Sequence, residues 1–295
     1  MLKIIDLTEK RNSATGCVML LGGFDGLHLG HRKLVERAKG YGLPVGAMTI
    51  VGGKSEEGLF TPEEREEIFR KAGVDFVFEL PFAEICDLSP ERFTELLLFR
   101  FHPKAFVCGD DFRFGKGAEG TPETLKHGGQ VRVEVVELLK ADGEKISATT
   151  VKRLLEKGEV EKANALLGEE FFLVGEVEAD RKVGRTIGFP TANIAYPAHK
   201  FPLKKGVYET LTETEFGTYK GITNYGSRPT FDSDKVVTET YLDGFSGDLY
   251  GKRCKVRFIR FLREVKKFES ADGLKTQLQE DIRRVREHDQ IRTER

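Results

Sequence analysis

The stretch Cys17-Val18-Met19-Leu20-Leu21-Gly22-Gly23-Phe24-Asp25-Gly26-Leu27-His28-Leu29-Gly30-His31-Arg32-Lys33-Leu34-Val35 governs the reading of the first half of this chain. Its opening apolar run reads as a buried strand, and the segment from Arg32 to Lys39 reads as the start of a helix. A glycine-rich turn between a strand and a helix brings backbone N–H groups close to an anion. The helix N-terminus adds partial positive charge at the same point. His28 and His31 stand three apart, one helical turn, and so point toward one phosphate as donors to developing charge. Gly23, Phe24, Asp25, Gly26 and Gly30 complete the candidate nucleotide-binding turn.

Working outward, strand-like runs recur at residues 44–50, 74–80, 105–109 and 131–136, with helix-like segments at 32–39, 62–72 and 90–99. Thr61-Pro62-Glu63-Glu64 carries an N-cap, a first-turn proline and acidic residues at the N-terminal end. Ser89-Pro90-Glu91 repeats that grammar. This alternation predicts an α/β domain, Rossmann-like, with a mostly parallel sheet and ligands bound at the carboxyl ends of its strands. Two more segments fall where such a site is expected. Gly109 and Asp111 lie in Gly109-Asp110-Asp111-Phe112-Arg113-Phe114-Gly115, just after a strand. Ser147, Thr149 and Lys152 lie in the hydroxyl-rich helix start Ser147-Ala148-Thr149-Thr150-Val151-Lys152, where Ser147 or Thr149 would cap the helix.

Lys plus Arg (47) nearly balances Asp plus Glu (48) among the 295 residues. That excludes a strongly basic nucleic-acid footprint, and no nucleic-acid partner is expected. No apolar run approaches membrane-spanning length, and Asp6, Glu9, Lys10 and Arg11 break any secretory-type start, so a cytoplasmic chain with no membrane partner is expected. The four cysteines are scattered with no zinc-like spacing. The oligomeric state is not readable.

After Leu167-Gly168 the pattern changes to short β-rich runs at 171–177, 206–211, 218–223, 236–242 and 253–261. These predict a small antiparallel β-barrel. A C-terminal helix follows, with Leu274, Leu278, Ile282 and Val285 as its packing stripe. The break falls in the polar, glycine-punctuated residues 158–171, giving domains 1–167 and 168–295. The chemistry of this half lies in Gly184-Arg185-Thr186-Ile187-Gly188-Phe189-Pro190-Thr191-Ala192-Asn193. Gly184, Arg185 and Gly188 suit close approach to phosphates. Pro190 stiffens the segment. Thr191 and Asn193, two apart in an extended segment, share a face and offer the neutral oxygens that Mg²⁺ accepts beside ATP phosphates. Asn224 and Arg228 lie in the loop Thr223-Asn224-Tyr225-Gly226-Ser227-Arg228-Pro229-Thr230-Phe231. Glu239, in a strand with Tyr241 on its own face, is the candidate general base.

In order and content these motifs resemble the bacterial bifunctional riboflavin kinase/FMN adenylyltransferases. G-x-F-D-G-x-H-x-G-H, G-x-D-F-R-F-G and the Ser/Thr-rich helix start match the adenylyltransferase half. P-T-A-N, T-N-x-G-x-R-P-T-F and Glu239 with Gly247-Asp248-Leu249-Tyr250-Gly251 match the kinase half. The resemblance implies FAD biosynthesis from riboflavin, with ATP as co-substrate, Mg²⁺ as cofactor, and riboflavin, FMN and FAD as substrates or products. It implies Glu239 as the acceptor of the ribityl hydroxyl proton, Thr191 and Asn193 as Mg²⁺ ligands, and His28 and His31 as charge stabilisers in adenylyl transfer. It also implies that Asp111 contacts the nucleotide or flavin. The chain departs from the family at Ala148 (usually Ser), Lys152 (usually Arg) and Thr49-Ile50-Val51-Gly52-Gly53-Lys54, where a Pro-His-Pro-type segment is common. Two alternatives stay open at this point: a riboflavin kinase with a slow or divergent N-terminal nucleotidyltransferase, and a flavin- or nucleotide-binding regulator.

Overall fold

The structure, a computed structural model, describes residues 2–6, 16–53, 57–127, 131–141, 143–179, 189–227 and 236–293. The chain packs as two compact units, Met1–Thr150 and Val151–Arg295.

In the first unit, strands β1 (Lys3–Asp6), β2 (Val18–Leu21), β3 (Val45–Val51), β4 (Phe76–Pro81), β5 (Ala105–Gly109) and β6 (Arg132–Val136) form one sheet. Their order is β1-β4-β3-β2-β5-β6, and every pairing is parallel. Central β2 and β5 are buried along their whole length, as strands covered on both faces must be. The chain runs outward from β2 to β3 and β4 on one side and to β5 and β6 on the other. The reversal of strand order therefore lies between the carboxyl ends of β2 and β5, where open α/β sheets bind ligands. Both predicted site segments, residues 22–31 and 109–115, begin there.

The helices are α1 (Leu29–Lys39), α2 (Pro62–Ala72), α3 (Phe82–Ile85), α4 (Pro90–Phe101) and α5 (Pro122–His127). The start of α2 follows its sequence signal. Thr61 Oγ1 accepts the N–H of Glu64 at 3.3 Å, and the Glu64 carboxylate accepts the N–H of Thr61 at 2.8 Å. This reciprocal cap gives the fully buried Glu64 carboxylate a backbone donor. The strands and helices expected in this half are present, with ends that coincide or shift by up to three residues.

A hairpin of β7 (Lys140–Ala141) and β8 (Glu144–Lys145) precedes α6 (Ala148–Lys157) and α7 (Val160–Leu167). Residues 158–171 read as a polar break from sequence, yet α7 lies inside them. Val160, Ala163 and Leu167 bury one face of it. Asn164 ties it to the barrel strands, donating to the Phe258 carbonyl and accepting from the Phe171 N–H, both at 2.8 Å.

The second unit is a closed antiparallel barrel of β9 (Phe171–Glu178), β10 (Thr191–Ala195), β11 (Gly206–Thr214), β12 (Gly217–Ser227), β13 (Val236–Leu242) and β14 (Arg253–Arg263), in the order β10-β13-β12-β11-β14-β9. Its interior holds Phe171, Tyr208, Tyr225 and Phe258 with a row of buried threonines. Thr223 Oγ1 lies 2.9 Å from both Thr210 Oγ1 and Thr240 Oγ1, so these hydroxyls satisfy one another.

Helix α8 (Ala271–Thr293) covers part of the outer face. Ile282 and Val285 bury against Phe189, Val207 and Ile222, with Leu278 and Tyr241 beside them. Asp281, fully buried, receives Arg263 in a two-pronged pair, Nε to Oδ2 at 2.9 Å and Nη2 to Oδ2 at 2.7 Å. Gln277 Nε2 donates to Asp281 Oδ1 at 3.0 Å. Arg286 pairs with Asp243, and His288 Nδ1 lies 2.9 Å from Glu209 Oε1. Asp281→Ala would strand the buried Arg263 guanidinium. We expect it to destabilise the full chain by about 3–5 kcal/mol, read as a lower urea midpoint. A loss under about 1 kcal/mol, the value of a solvated pair, would contradict this reading of the helix anchor.

Candidate functional site

The first site is built at the N-terminus of α1. His28 is the N-cap: its Nδ1 accepts the backbone N–H of His31 at 3.2 Å. The two rings stack with centroids 3.7 Å apart and 18° between their planes. His31 Nδ1 donates to the Gly26 carbonyl at 2.8 Å, because a carbonyl only accepts. These bonds fix the tautomers. Neutral His28 carries its proton on Nε2 and presents a donor. Neutral His31 carries its proton on Nδ1 and presents the Nε2 lone pair.

Neighbouring side chains seat this pair. Phe24 is fully buried and packs 4.5 Å from the His31 ring, with its backbone at φ +32°, a conformation uncommon for a side chain of that size. Asp25 Oδ1 accepts the Leu59 N–H at 2.8 Å and ties the turn to the next loop. Gly30 has a steric reason: a Cβ there would come within 3.1 Å of the His28 ring. Gly23 faces open space, with nothing within 4 Å of where a Cβ would stand.

Burial drives the titration of both rings. Desolvation, reinforced by His31 and the Lys145 ammonium, pulls His28 down to about 3. Desolvation again, with Lys145 adding, brings His31 to about 4 against the opposing bond to Gly26. Protonating His28 on Nδ1 would also break its cap. Both rings are thus neutral at pH 7.

This has a measurable consequence. A histidine lowered in the folded state is protonated first in the unfolded chain. Its contribution to stability is complete above its ordinary value of 6.5 and is lost as pH falls toward about 3. For buried His28 the slope is about 1.4 kcal/mol per pH unit. Urea midpoints should therefore drop between pH 6.5 and about 5, and drop less steeply in His28→Asn. Equal slopes in the two proteins would contradict the buried neutral state.

The other predicted residues of the adenylyltransferase half lie at the end of β5 and just after it, and on α6 with its start. Asp111, after Gly109 at the end of β5, pairs with Lys145. Ser147 is the cap of α6, accepting the Thr150 N–H at 3.2 Å, whereas Thr149 is exposed and caps nothing. Lys152 belongs to the second unit, where its ammonium sits 5.2 Å from the centre of the Phe201 ring. Lys145 is a residue that sequence reading missed; a lone lysine in a polar hairpin carries no signal. Lys54 lies outside the described residues.

The second site lies on the outer face of the barrel. In the strand register Asn193 on β10 stands opposite Glu239 on β13, and Glu239 stands opposite Asn224 on β12. Residues opposite one another on antiparallel strands share a face. The three therefore form one row, amide–carboxylate–amide, across three strands. Two residues along, Thr191 stands opposite Tyr241, and Tyr241 opposite Ile222. Tyr241 packs 4.9 Å from Phe189, next to exposed Pro190. The same face carries the contacts with α8, so the row lies beside that helix. Asn224 Oδ1 is buried with no hydrogen-bond partner among the described residues, a group that a bound donor would satisfy. Gly184, Arg185, Gly188 and Arg228 lie outside the described residues. Among those described, no cluster of three or more His, Cys, Asp or Glu side chains could hold a metal.

Comparison with known proteins follows the same two-part division. A family described as FAD synthetase matches residues 10–150, and one described as riboflavin kinase matches residues 167–288. The bifunctional riboflavin kinase/FMN adenylyltransferase of Listeria monocytogenes is 34% identical over 281 residues, covering 90% of each chain. The protein of that name from Pseudomonas fluorescens is 34% identical over 299 residues, covering 95% of each. Among solved structures, one named a macrolide-efflux protein, from Streptococcus pneumoniae, superposes with a TM-score of 0.88 at 28% identity, over 96% of this chain and 98% of that one. By the identity and coverage of these relatives, together with both family matches, this chain belongs to the bifunctional riboflavin kinase/FMN adenylyltransferase family.

Proposed function

We propose that the chain makes FAD from riboflavin in two ATP-dependent steps, with Glu239 acting in the first and His28 and His31 in the second. What supports this reading is the presence of two constellations in one chain: the stacked histidines at the N-terminus of α1, and the row Asn193–Glu239–Asn224 on the barrel. Phosphorylation is assigned to residues 168–295 and adenylylation to residues 1–167.

In the first step the Glu239 carboxylate takes the proton of the terminal ribityl hydroxyl. That oxygen attacks the γ-phosphorus of ATP, forming FMN, and ADP leaves. Asn224 offers its buried side-chain oxygen to a substrate donor. Thr191 and Asn193 share a face and provide neutral oxygens, a donor type suited to Mg²⁺ completed by ATP phosphates. Bound there, the ion would offset phosphate charge.

In the second step an FMN phosphate oxygen attacks the α-phosphorus of a second ATP, and pyrophosphate leaves. The attacking phosphate is already ionised, so this step needs alignment and charge stabilisation rather than a base. His28 presents its Nε2–H without any protonation event. His31, whose Nδ1–H is held by Gly26, becomes a donor at Nε2 only by taking up a proton when polyanionic phosphate arrives.

We do not carry the efflux named for the Streptococcus pneumoniae structure over to this chain. Its named relatives perform flavin chemistry, and no described helix is long and apolar enough to cross a membrane. The test is chromatography of products from purified protein with riboflavin, ATP and Mg²⁺, beside a reaction started from FMN. FMN followed by FAD is expected. FMN alone from riboflavin, with no FAD from either start, would return the N-terminal half to another acceptor.

A further inference from the structure

The His31 ring lies against two aromatic neighbours. The His28 ring stacks on it with centroids 3.7 Å apart, and the Phe24 ring packs on it at 4.5 Å with 49° between the planes. Phe24 belongs to the turn before α1, where its backbone stands at φ +32°. Glycine adopts the left-handed region freely, whereas a bulky side chain is strained there. The turn nevertheless keeps a fully buried phenyl ring at this position. The surroundings are shaped to seat it. A Cβ on Gly22 would come within 3.1 Å of the ring, and the buried Phe69 of α2 forms a T-shaped pair with it at 6.5 Å between centroids. Strain held at a ligand-binding turn points to a task for the side chain that imposes it.

That task follows from which ring can become a cation. His28 needs its Nδ1 lone pair for the His31 N–H, so protonation would cost it the cap of α1. His31 donates its Nδ1–H to the Gly26 carbonyl, a bond that a further proton at Nε2 strengthens. The Lys145 ammonium, at the end of β8, opposes a positive His31. Asp25, on the same turn, accepts the Leu59 N–H, and the contact from α2 is the uncharged Phe69. The Phe24 ring favours the charge, because a cation within about 6 Å of a phenyl centroid is attracted to its π-system. We propose that Phe24 is a positioning residue of adenylyl transfer: its ring makes His31, rather than His28, the histidine that carries positive charge to the phosphates. The inference rests on the adenylyltransferase reading of this site. The proton comes from solvent as nucleotide binds and returns to solvent once pyrophosphate has left. The bonds made and broken at the α-phosphorus are unchanged.

The test compares two altered full chains with the wild type. Phe24→Leu keeps an apolar side chain but removes the π-system. A fluorinated phenylalanine placed at position 24 keeps the shape of the ring and draws electrons from its face. Two quantities are read: the pH profile of kcat for FMN-to-FAD conversion, and the protonation of each histidine by NMR in protein saturated with inorganic pyrophosphate. Riboflavin phosphorylation by the same samples controls for folding. In the wild type, pyrophosphate should raise the titration of His31 toward neutrality and leave His28 uncharged, and kcat should fall on the alkaline side. Both altered chains should move the His31 titration and that alkaline limb together to lower pH, by about half to one unit. FAD formation on the alkaline side then falls about three- to tenfold, and the three proteins converge in acid. A ring that only fills space would change kcat by one factor at every pH and leave the limb in place, which overturns the proposal. A fluorinated chain with the wild-type titration overturns it as well, and decides the matter if Phe24→Leu does not fold. Pyrophosphate that leaves His31 neutral, or protonates His28 in its place, overturns it too. A wild-type chain that makes no FAD from FMN overturns the parent reading instead, and the NMR titration still decides which histidine takes the charge.

Discussion

Glu239→Gln should abolish FMN formation from riboflavin while FMN supplied directly is still converted to FAD. Glutamine keeps the shape of the side chain and its hydrogen-bonding capacity but cannot accept a proton as a base. The strand pairing of β13 with β10 and β12 is made by backbone groups, so the row holding position 239 between Asn193 and Asn224 survives the change. The loss should therefore appear in kcat, by about 10²- to 10⁴-fold, the range supplied by a positioned general base. The KM values for riboflavin and ATP should move little, because the substitution leaves ground-state contacts nearly intact. A fall of less than about tenfold would remove Glu239 from the role of base. Loss of both activities in a folded protein would overturn the assignment of two sites.

The parts of the molecule that the sequence announces are those where one local rule dominates. The turn at residues 22–31 is legible because glycines, a helix start and two histidines all demand the same place at the end of a central strand. Helix α2 is legible because Thr61, Pro62 and Glu64 are its cap and first turn, and the structure satisfies each of them. The barrel is legible from its short β runs, but the order and register of its strands are not. Strand β10 is five residues long, and it was readable only as an extended segment carrying Thr191 and Asn193. The row linking Asn193 to Glu239 and Asn224 is a matter of register between distant strands, which no local pattern encodes.

Helix α7 was hidden for a different reason. It has eight residues, is flanked by Glu159 and Gly168, and buries only Val160, Ala163 and Leu167. Its spacing of three and four was the available signal, outweighed by the charges around it. Edge strand β1 is four residues long and gives even less. Lys145 shows the limit most plainly. Its carboxylate partner, Asp111, is 34 positions away in sequence. The solvation of a lone lysine is the better reading until that tertiary contact is known.

His28→Asn should remove FAD formation while leaving riboflavin phosphorylation intact. His28 does two jobs, and this substitution separates them. As N-cap it accepts the His31 N–H, a task for which asparagine is among the preferred residues. The helix start is therefore kept or improved, and a buried ring that resists protonation is removed. What asparagine does not reproduce is an Nε2–H held at the far side of a ring stacked on His31. Losing one such donor to developing phosphate charge costs about 10²- to 10³-fold in kcat. The measurement is the rate of FAD formation from FMN, taken beside a urea melt at pH 7 and a riboflavin phosphorylation assay on the same sample. Lost turnover with unchanged or raised stability is the expected pair of results, because the cap and the donor act through different nitrogens of one ring. Full FAD formation in this variant would mean that the ring serves the helix alone, and the second step would have to draw its charge stabilisation from the backbone N–H groups of the turn.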